Sequence, residues 1–347
     1  MTTGKGWLTL RRFAEIMSSV AIGCVCGLVV GTAASASSFQ QNPEVERFID
    51  ELVVEHRFDR GQLRNWFGQA RMQRGVLKAI SSPVTERPWY EFRARHVTAA
   101  RVRDGLDYWQ RNADTLARAS AEYGVPEEIM VATVGIETLY GRNTGGNVVF
   151  DALATLAFAY PPRAALFRDQ LKHLLLLARE LRENPLRYKG SYAGALGVPQ
   201  FLPGSYRRYA VDFDNDGKRD LWNHNDAIGS IANYYKSHGW RPGEPVVAAL
   251  EQTAEPAGEE FQLLLERGLN PHTTIAAIRS AGAPPAEPLP DDLPVSVFGA
   301  QTETGVRYWA GFNNFYVITR YNRSVNYALA VYELSQEVRR AREGGLN

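Results

Sequence analysis

At 347 residues the chain is too long for one minimal core and suits one large domain or two modest ones. Hydrophobic residues at 45% and charged residues at 22% describe a globular protein, not a disordered, collagenous or membrane-saturated one. Lysine and arginine total 39 against 38 aspartate and glutamate, a net charge of +1 that argues against a strongly basic nucleic-acid binder. The two cysteines, Cys24 and Cys26, are too few for a disulfide scaffold or a four-cysteine zinc site.

Lys5, Arg11 and Arg12 precede a mostly apolar run from Ile16 to Ala33 that exits through Ala34-Ser35-Ala36. This is the pattern of a secretory signal peptide cleaved before Ser37, which predicts an exported protein that loses both cysteines with its leader. The run is also long enough to be kept as an anchor. Ala21-Ile22-Gly23-Cys24 places alanine where a lipoprotein signal has an aliphatic residue, so lipidation of Cys24 is the lesser alternative.

From about residue 43 the pattern is helical. Val45, Phe48, Ile49, Leu52 and Val53 recur at amphipathic spacing. A second helix is expected around Leu63 to Met72, and a longer one from a Thr98 cap past Val102, Trp109 and Leu116 to Gly124. Pro126 opens the next helix, with Glu127 and Glu128 against the positive end of its dipole and an end near Gly141. Helices at 151–159 and 164–183 follow, the second carrying the run Leu174-Leu175-Leu176-Leu177. After Trp240 the texture turns proline-rich, with β-like runs at Val246-Val247 and Val295-Ser296-Val297-Phe298, a helix at 258–267, and a last helical piece at 325–342.

Two features carry chemistry. Asp212, Asp214, Asp216 and Asp220 occupy positions 1, 3, 5 and 9 of a loop with Gly217 at position 6, the fingerprint of an EF-hand-like calcium loop. Position 12 is Asn223 in place of a bidentate glutamate, and Asp226 is the natural candidate to complete the shell; a structural clip fits better than a switch. Glu137 is the one charged residue between Glu128 and Arg142. The negative end of its helix and its apolar neighbours both disfavour ionisation, so its pKa should be raised, as a general acid for glycosidic cleavage requires. The bland alternative is a glutamate that pairs with Arg142 or faces solvent. His224 and His238 are expected on the surface beside the loop, and no HExxH, Walker or GxSxG motif is present.

The motifs Gly135-Ile136-Glu137-Thr138 with Tyr140-Gly141, Phe150-Asp151-Ala152-Leu153-Ala154-Thr155-Leu156 and Tyr192-Ala193-Gly194-Ala195-Leu196-Gly197-Val198-Pro199-Gln200-Phe201-Leu202-Pro203 stand in that order. The calcium loop, Asp226-Ala227-Ile228-Gly229-Ser230-Ile231-Ala232-Asn233-Tyr234 and Ile318-Thr319-Arg320-Tyr321-Asn322 follow. Over roughly residues 43–340 the chain resembles the membrane-bound lytic murein transglycosylase B family. The resemblance implies a mainly α fold: a lysozyme-like helical catalytic domain with the calcium loop, and a small mixed α/β insertion. The organisation would be a signal peptide at 1–36, a catalytic region at 37–240 with its calcium loop at 212–226, an insertion at 241–310, and a segment at 311–347 that completes the cleft.

By the same resemblance Glu137 is the single acid/base of a lytic transglycosylase, which cleaves the N-acetylmuramic acid to N-acetylglucosamine bond of peptidoglycan without water and leaves a 1,6-anhydro end. Ser191 matches a serine that hydrogen-bonds this glutamate, Gln200 and Phe201 the cleft floor, and Tyr234, Tyr321, Asn322 and Tyr327 residues that position sugar rings. Arg163 matches one of two arginines that contact the peptide or sugar acid; the other is replaced by Pro162. Asp212, Asp214, Asp216, Asp226 and the Lys218 backbone oxygen match the ligands of one structural Ca2+. The implied setting is the periplasm, with membrane anchorage through the N-terminus left open. The implied partners are peptidoglycan glycan strands and wall-synthesis proteins, with no nucleic acid, for a monomeric enzyme. A hydrolytic muramidase on the same fold and a noncatalytic peptidoglycan-binding scaffold are the competing readings.

Overall fold

The computed structural model describes residues 39–81, 87–251 and 258–345; the signal-peptide, anchor and Cys24 expectations lie outside the described residues. After a short turn at Phe39–Gln41 the chain forms α1 (Pro43–His56), α2 (Arg60–Gln69), α3 (Arg74–Ile80), α4 (Trp89–His96), α5 (Ala99–Arg111), α6 (Ala113–Tyr123) and α7 (Glu127–Thr138). Next come β1 (Asn147–Val148), α8 (Val149–Ala159), α9 (Ala164–Leu181), β2 (Lys189–Gly190), α10 (Pro203–Tyr209) and α11 (His224–Ser237). A mixed stretch follows: β3 (Val247–Ala249), α12 (Glu259–Glu266), β4 (Thr273–Thr274), α13 (Ile275–Ser280), β5 (Pro294–Thr302) and β6 (Gly305–Gly311). Two helices, α14 (Asn313–Tyr321) and α15 (Val325–Glu343), end the described chain.

Local chemistry accounts for most boundaries. Asn42 and Asp59 cap α1 and α2 by accepting the backbone N–H groups of Glu44 at 2.9 Å and Gln62 at 2.7 Å. The Asp59 cap is why α2 begins at Arg60, ahead of the expected Leu63. Thr98 caps α5 as expected, but the single helix expected up to Gly124 is two. The break falls at Asn112, whose side-chain amide donates to the Tyr108 carbonyl at 2.8 Å and competes with helical hydrogen bonding.

The apolar content of α7 explains its place. Every residue from Ile129 to Gly135 is buried, so this helix has no solvent face, and α5, α6, α11 and α15 pack around it. The Leu174–Leu177 run of α9 is likewise buried, against α8.

The four-stranded antiparallel sheet has the order β3-β6-β5-β4 and its own small apolar cluster, which includes Phe261, Ile275, Ile278, Val295 and Val297. Phe298 pairs across the ladder with Trp309 and stacks on it at 5.9 Å; it also stacks on Phe315 of α14 at 4.3 Å. That contact fixes the helix that ends in Tyr321. Fully buried Asn314 fastens the same place. Its carbonyl accepts the Arg241 N–H at 2.9 Å, and its amide donates to the carbonyls of Arg241 and Glu244 at 2.8 Å each. Asn314→Ala should leave these groups unpaired, at about 1–3 kcal/mol for each. Urea unfolding should show a lower midpoint with unchanged m-value.

Candidate active site

Glu137 lies in the last turn of α7, where unpaired backbone carbonyls oppose a negative charge. Leu139, Tyr140 and Gly141 then take three successive left-handed conformations, with φ of 52°, 61° and 85°. This reversal folds Tyr140 back against its own helix, where a Cβ on Gly135 would stand 2.6 Å from the Tyr140 hydroxyl. Only glycine fits there. The Tyr140 hydroxyl donates to the Arg101 carbonyl at 2.8 Å, and the buried Thr138 hydroxyl donates to the Val198 carbonyl at 3.0 Å. The end of α7 is therefore locked both to α5 and to the loop carrying Gln200 and Phe201.

The Glu137 carboxylate accepts one hydrogen bond, from the Tyr327 hydroxyl at 2.7 Å. Burial pushes its pKa up to about 7, and the Tyr327 bond opposes part of that rise. Arg142 does not neutralise it; that guanidinium pairs with Asp104 on α5. Glu137 nevertheless keeps part of its surface accessible.

Tyr327 is presented by the first turn of α15, capped by the Ser324 hydroxyl, which accepts the Tyr327 N–H at 3.3 Å. Around it the structure gathers residues distant in sequence. Tyr321 stacks near-parallel to Tyr327 at 6.2 Å and packs on Tyr234 at 4.8 Å and Phe201 at 5.7 Å. The hydroxyls of Tyr321 and Tyr234 donate to the backbone carbonyls of Pro199 at 2.5 Å and Arg320 at 2.6 Å. Desolvation, with the Glu137 charge adding to it, raises the pKa of both phenols, so they stay protonated. Gln200 adopts a left-handed φ of 52° and donates from its amide to the carbonyls of Gly197 at 2.8 Å and Thr144 at 3.1 Å.

Three expected residues stand apart. The Ser191 hydroxyl accepts the N–H groups of Ala193 at 3.3 Å and Ala195 at 3.0 Å and makes no bond to Glu137. Its position in a tight loop sets that role. Arg163 is exposed on the turn between α8 and α9, with its guanidinium 5.3 Å from the Phe167 ring centroid. Asn322 is exposed just after Tyr321, at the end of α14. Two residues were not foreseen. Tyr235 lies fully buried under Tyr321 at 5.5 Å with its hydroxyl 2.9 Å from that of Thr133, and Thr138 holds the loop. The adjacent Tyr234-Tyr235 pair was the one available signal for the first.

His238 also departs from expectation: it is half-buried and stacks on Tyr234 at 4.0 Å. His224 is half-buried too, with its ring nitrogen 3.1 Å from the Tyr108 hydroxyl.

In the acidic loop, oxygens of Asp212, Asp214 and Asp216 converge within 4.8 Å of one another, an all-oxygen set suited to a hard cation. Gly217, at φ 86°, makes the turn beneath them, and Lys218 follows with its backbone oxygen. Asp226 does not join the three. It is fully buried at the start of α11, and its two oxygens accept the N–H groups of Phe213 at 2.7 Å, Asp214 at 3.4 Å and Asp220 at 2.7 Å. It braces the loop from beneath because the N–H groups converge there. Asn223 caps α11 and donates to Asp214 at 2.6 Å. Phe213 packs on Gly229, where a Cβ would lie 2.4 Å from its ring.

A family model described as the transglycosylase SLT domain matches residues 40–336. The chain is 42% identical over 314 residues to membrane-bound lytic murein transglycosylase B of Escherichia coli K12, covering 88% of this chain and 85% of that protein. Among solved structures it is similar to the catenated lytic transglycosylase SltB1 of Pseudomonas aeruginosa, at 46% identity and a TM-score of 0.81 over 88% of this chain and 99% of that one. It is also similar to the Escherichia coli lytic transglycosylase Slt35 solved with calcium, at 41% identity and a TM-score of 0.78 over 87% and 95%. On a family match over most of its length and this level of identity, the chain belongs to the transglycosylase SLT domain family, among the membrane-bound lytic murein transglycosylase B proteins.

Proposed function

We propose that this lytic transglycosylase acts on peptidoglycan through Glu137 alone, first as acid and then as base. The observation that carries the reading is a carboxyl held near neutrality by burial, with a phenol as its one hydrogen-bond partner. No other carboxylate contributes to that shift, whereas two-carboxylate hydrolysis needs a second acid close by. Protonated Glu137 would give its proton to the glycosidic oxygen as the C1–O4 bond of N-acetylmuramic acid breaks. The resulting carboxylate would take the proton of the C6 hydroxyl of the same sugar as that oxygen attacks C1. Acid and base are restored, and no water is consumed. Because the nucleophile is already part of the substrate, ring closure avoids a bimolecular encounter.

The cluster of Phe201, Tyr234, Tyr321 and Tyr327 beside Glu137 supports the assignment of a saccharide substrate through partly exposed Tyr321, whose ring the buried others hold in place. Asn322 and Gln200 would supply amides to the acetamido groups. Arg163, exposed and without a carboxylate partner among the described residues, would meet the sugar or peptide acid at the cleft edge, and Ser191 would shape the loop beside it. We assign Ca2+ to Asp212, Asp214, Asp216 and the Lys218 backbone oxygen, with a structural role; Asp226 organises the loop in place of ligating. Export by the leader to the periplasm, action as a monomer on glycan strands, and contact with wall-synthesis proteins complete the proposal. Residues 37–240 and 311–347 would form the catalytic body, with 241–310 inserted between them.

Four outcomes test it. Mass spectrometry of sacculus digests should give products one water lighter than hydrolysis would, and Glu137→Gln should abolish them; free reducing muramic ends would refute the mechanism. Cleavage needs the protonated acid, so kcat/KM should fall as pH rises through about 7. Tyr327→Phe removes the bond that holds the pKa down, so the surviving activity should lose its alkaline limb at higher pH than the parent. Chelation of the calcium-loaded protein should lower Tm more than it lowers the initial rate at low temperature.

A further inference from the structure

A cavity of about 900 Å³ opens between the end of α9, β2 and the acidic loop, and none of its lining residues surrounds Glu137. Its wall is aromatic. Tyr188 and Trp222 lie near-parallel, with ring centroids 6.3 Å apart. Trp222 is 36% exposed, so its ring can be reached from solvent. Tyr188 is only 6% exposed; burial and the neighbouring Glu183 carboxylate both raise its pKa, so the phenol stays protonated beside that acceptor.

The charges around the cavity are unbalanced. Arg187, Lys189 and Lys218 are exposed on its rim and enter no ion pair among the described residues. Of the lining acids, Glu180 holds Arg207 at 2.7 Å and Asp220 accepts the Trp222 N–H at 2.9 Å, while Glu183 is exposed and enters no ion pair among the described residues, so the four lining bases exceed the three lining acids by one. A neutral sugar would not need three free cations, and a simple anion would not need an aromatic wall. A ligand that needs both has a flat C–H face, hydroxyl acceptors and a carboxylate.

We infer that this cavity is a second, noncatalytic saccharide site, which holds carboxylate-bearing sugar residues of the same polymer that is cleaved at Glu137. The inference rests on the reading of peptidoglycan as substrate, where the lactyl carboxylate of a denuded muramic acid has this chemistry. A strand gripped here stays tethered while the active site releases and reengages it, which raises the effective local concentration of substrate on an insoluble wall but not in solution.

The test uses full-length, calcium-loaded Glu137→Gln protein, whose cosedimentation with purified, peptide-stripped sacculi reads binding without cleavage. Trp222→Ala, and separately Arg187→Ala with Lys189→Ala, should each weaken that binding about fivefold. The charge pair leaves the acidic loop untouched, which guards against Trp222→Ala acting by unfolding it. With Glu137 restored, both variants should digest sacculi more slowly yet cleave a soluble tetrasaccharide at the parent rate. Unchanged sacculus binding in both variants would overturn the proposal, as would an equal loss of rate on the tetrasaccharide. Residual cleavage by Glu137→Gln would instead defeat the acid/base assignment, and the binding comparison would still decide the second site.

Discussion

Everything at this site follows from holding one carboxyl at the dry end of a buried helix. Raising a glutamate from its ordinary value of 4.5 to about 7 means that its ionised form is disfavoured by roughly 3 kcal/mol in the folded chain. The penalty is absent below the unfolded value, grows as pH rises between the two values, and is complete above about 7. The fold tolerates it because α7 is otherwise apolar and enclosed on every side. The proposed acid/base role needs the penalty as well: full compensation by an arginine would leave a permanent carboxylate with no proton to give, and the pairing of Arg142 with Asp104 keeps that cation away. Tyr327 offers a milder partner, a neutral donor that orients the carboxyl without fixing its charge.

The acidic loop solves the opposite problem. Three carboxylates brought within 4.8 Å repel one another, so their convergence depends on a stiff frame. The frame is built from the far side. Asp226 collects three N–H groups, the Arg118 guanidinium sits 4.0 Å from the Phe213 ring centroid and donates to its carbonyl, and Phe213 lies on the bare surface of Gly229. The loop is joined to the catalytic region through Val198, whose N–H donates to the Leu221 carbonyl at 2.8 Å while its own carbonyl receives Thr138. One residue thus lies between the cation loop and the turn after Glu137.

Periodicity and caps made the helices legible, because amphipathic spacing, Thr98 and Gly124 act over a few residues. Glu137 was legible as a charge out of place in an apolar run, and the loop from its alternating aspartates. What stayed hidden depends on contacts between distant segments. No local signal says that the Tyr327 hydroxyl meets Glu137, 190 positions away, or that Tyr235 underlies Tyr321. Resemblance to known proteins supplied the first pairing's participants without its geometry. The surroundings of Asp226 were not legible either, because the N–H groups that bond it come from the loop's own folded backbone. At Asn112 the single expected helix failed, because a side chain outbid the helix for a carbonyl.

Asn314 has a consequence for the architecture as a whole. By bonding to Arg241 and Glu244 it places the departure of the chain toward the sheet beside its return into α14. A segment whose ends meet at one clasp behaves as a closed loop with respect to the helices. Residues can be gained or lost at its far end, between β3 and β5, without shifting the register of the clasp. The stacked pair Phe298 and Phe315 is then the second point that such changes must respect, because it carries the sheet's position to the helix bearing Tyr321. The sheet-bearing lobe is thereby free to diverge in outline while the reacting groups keep their spacing.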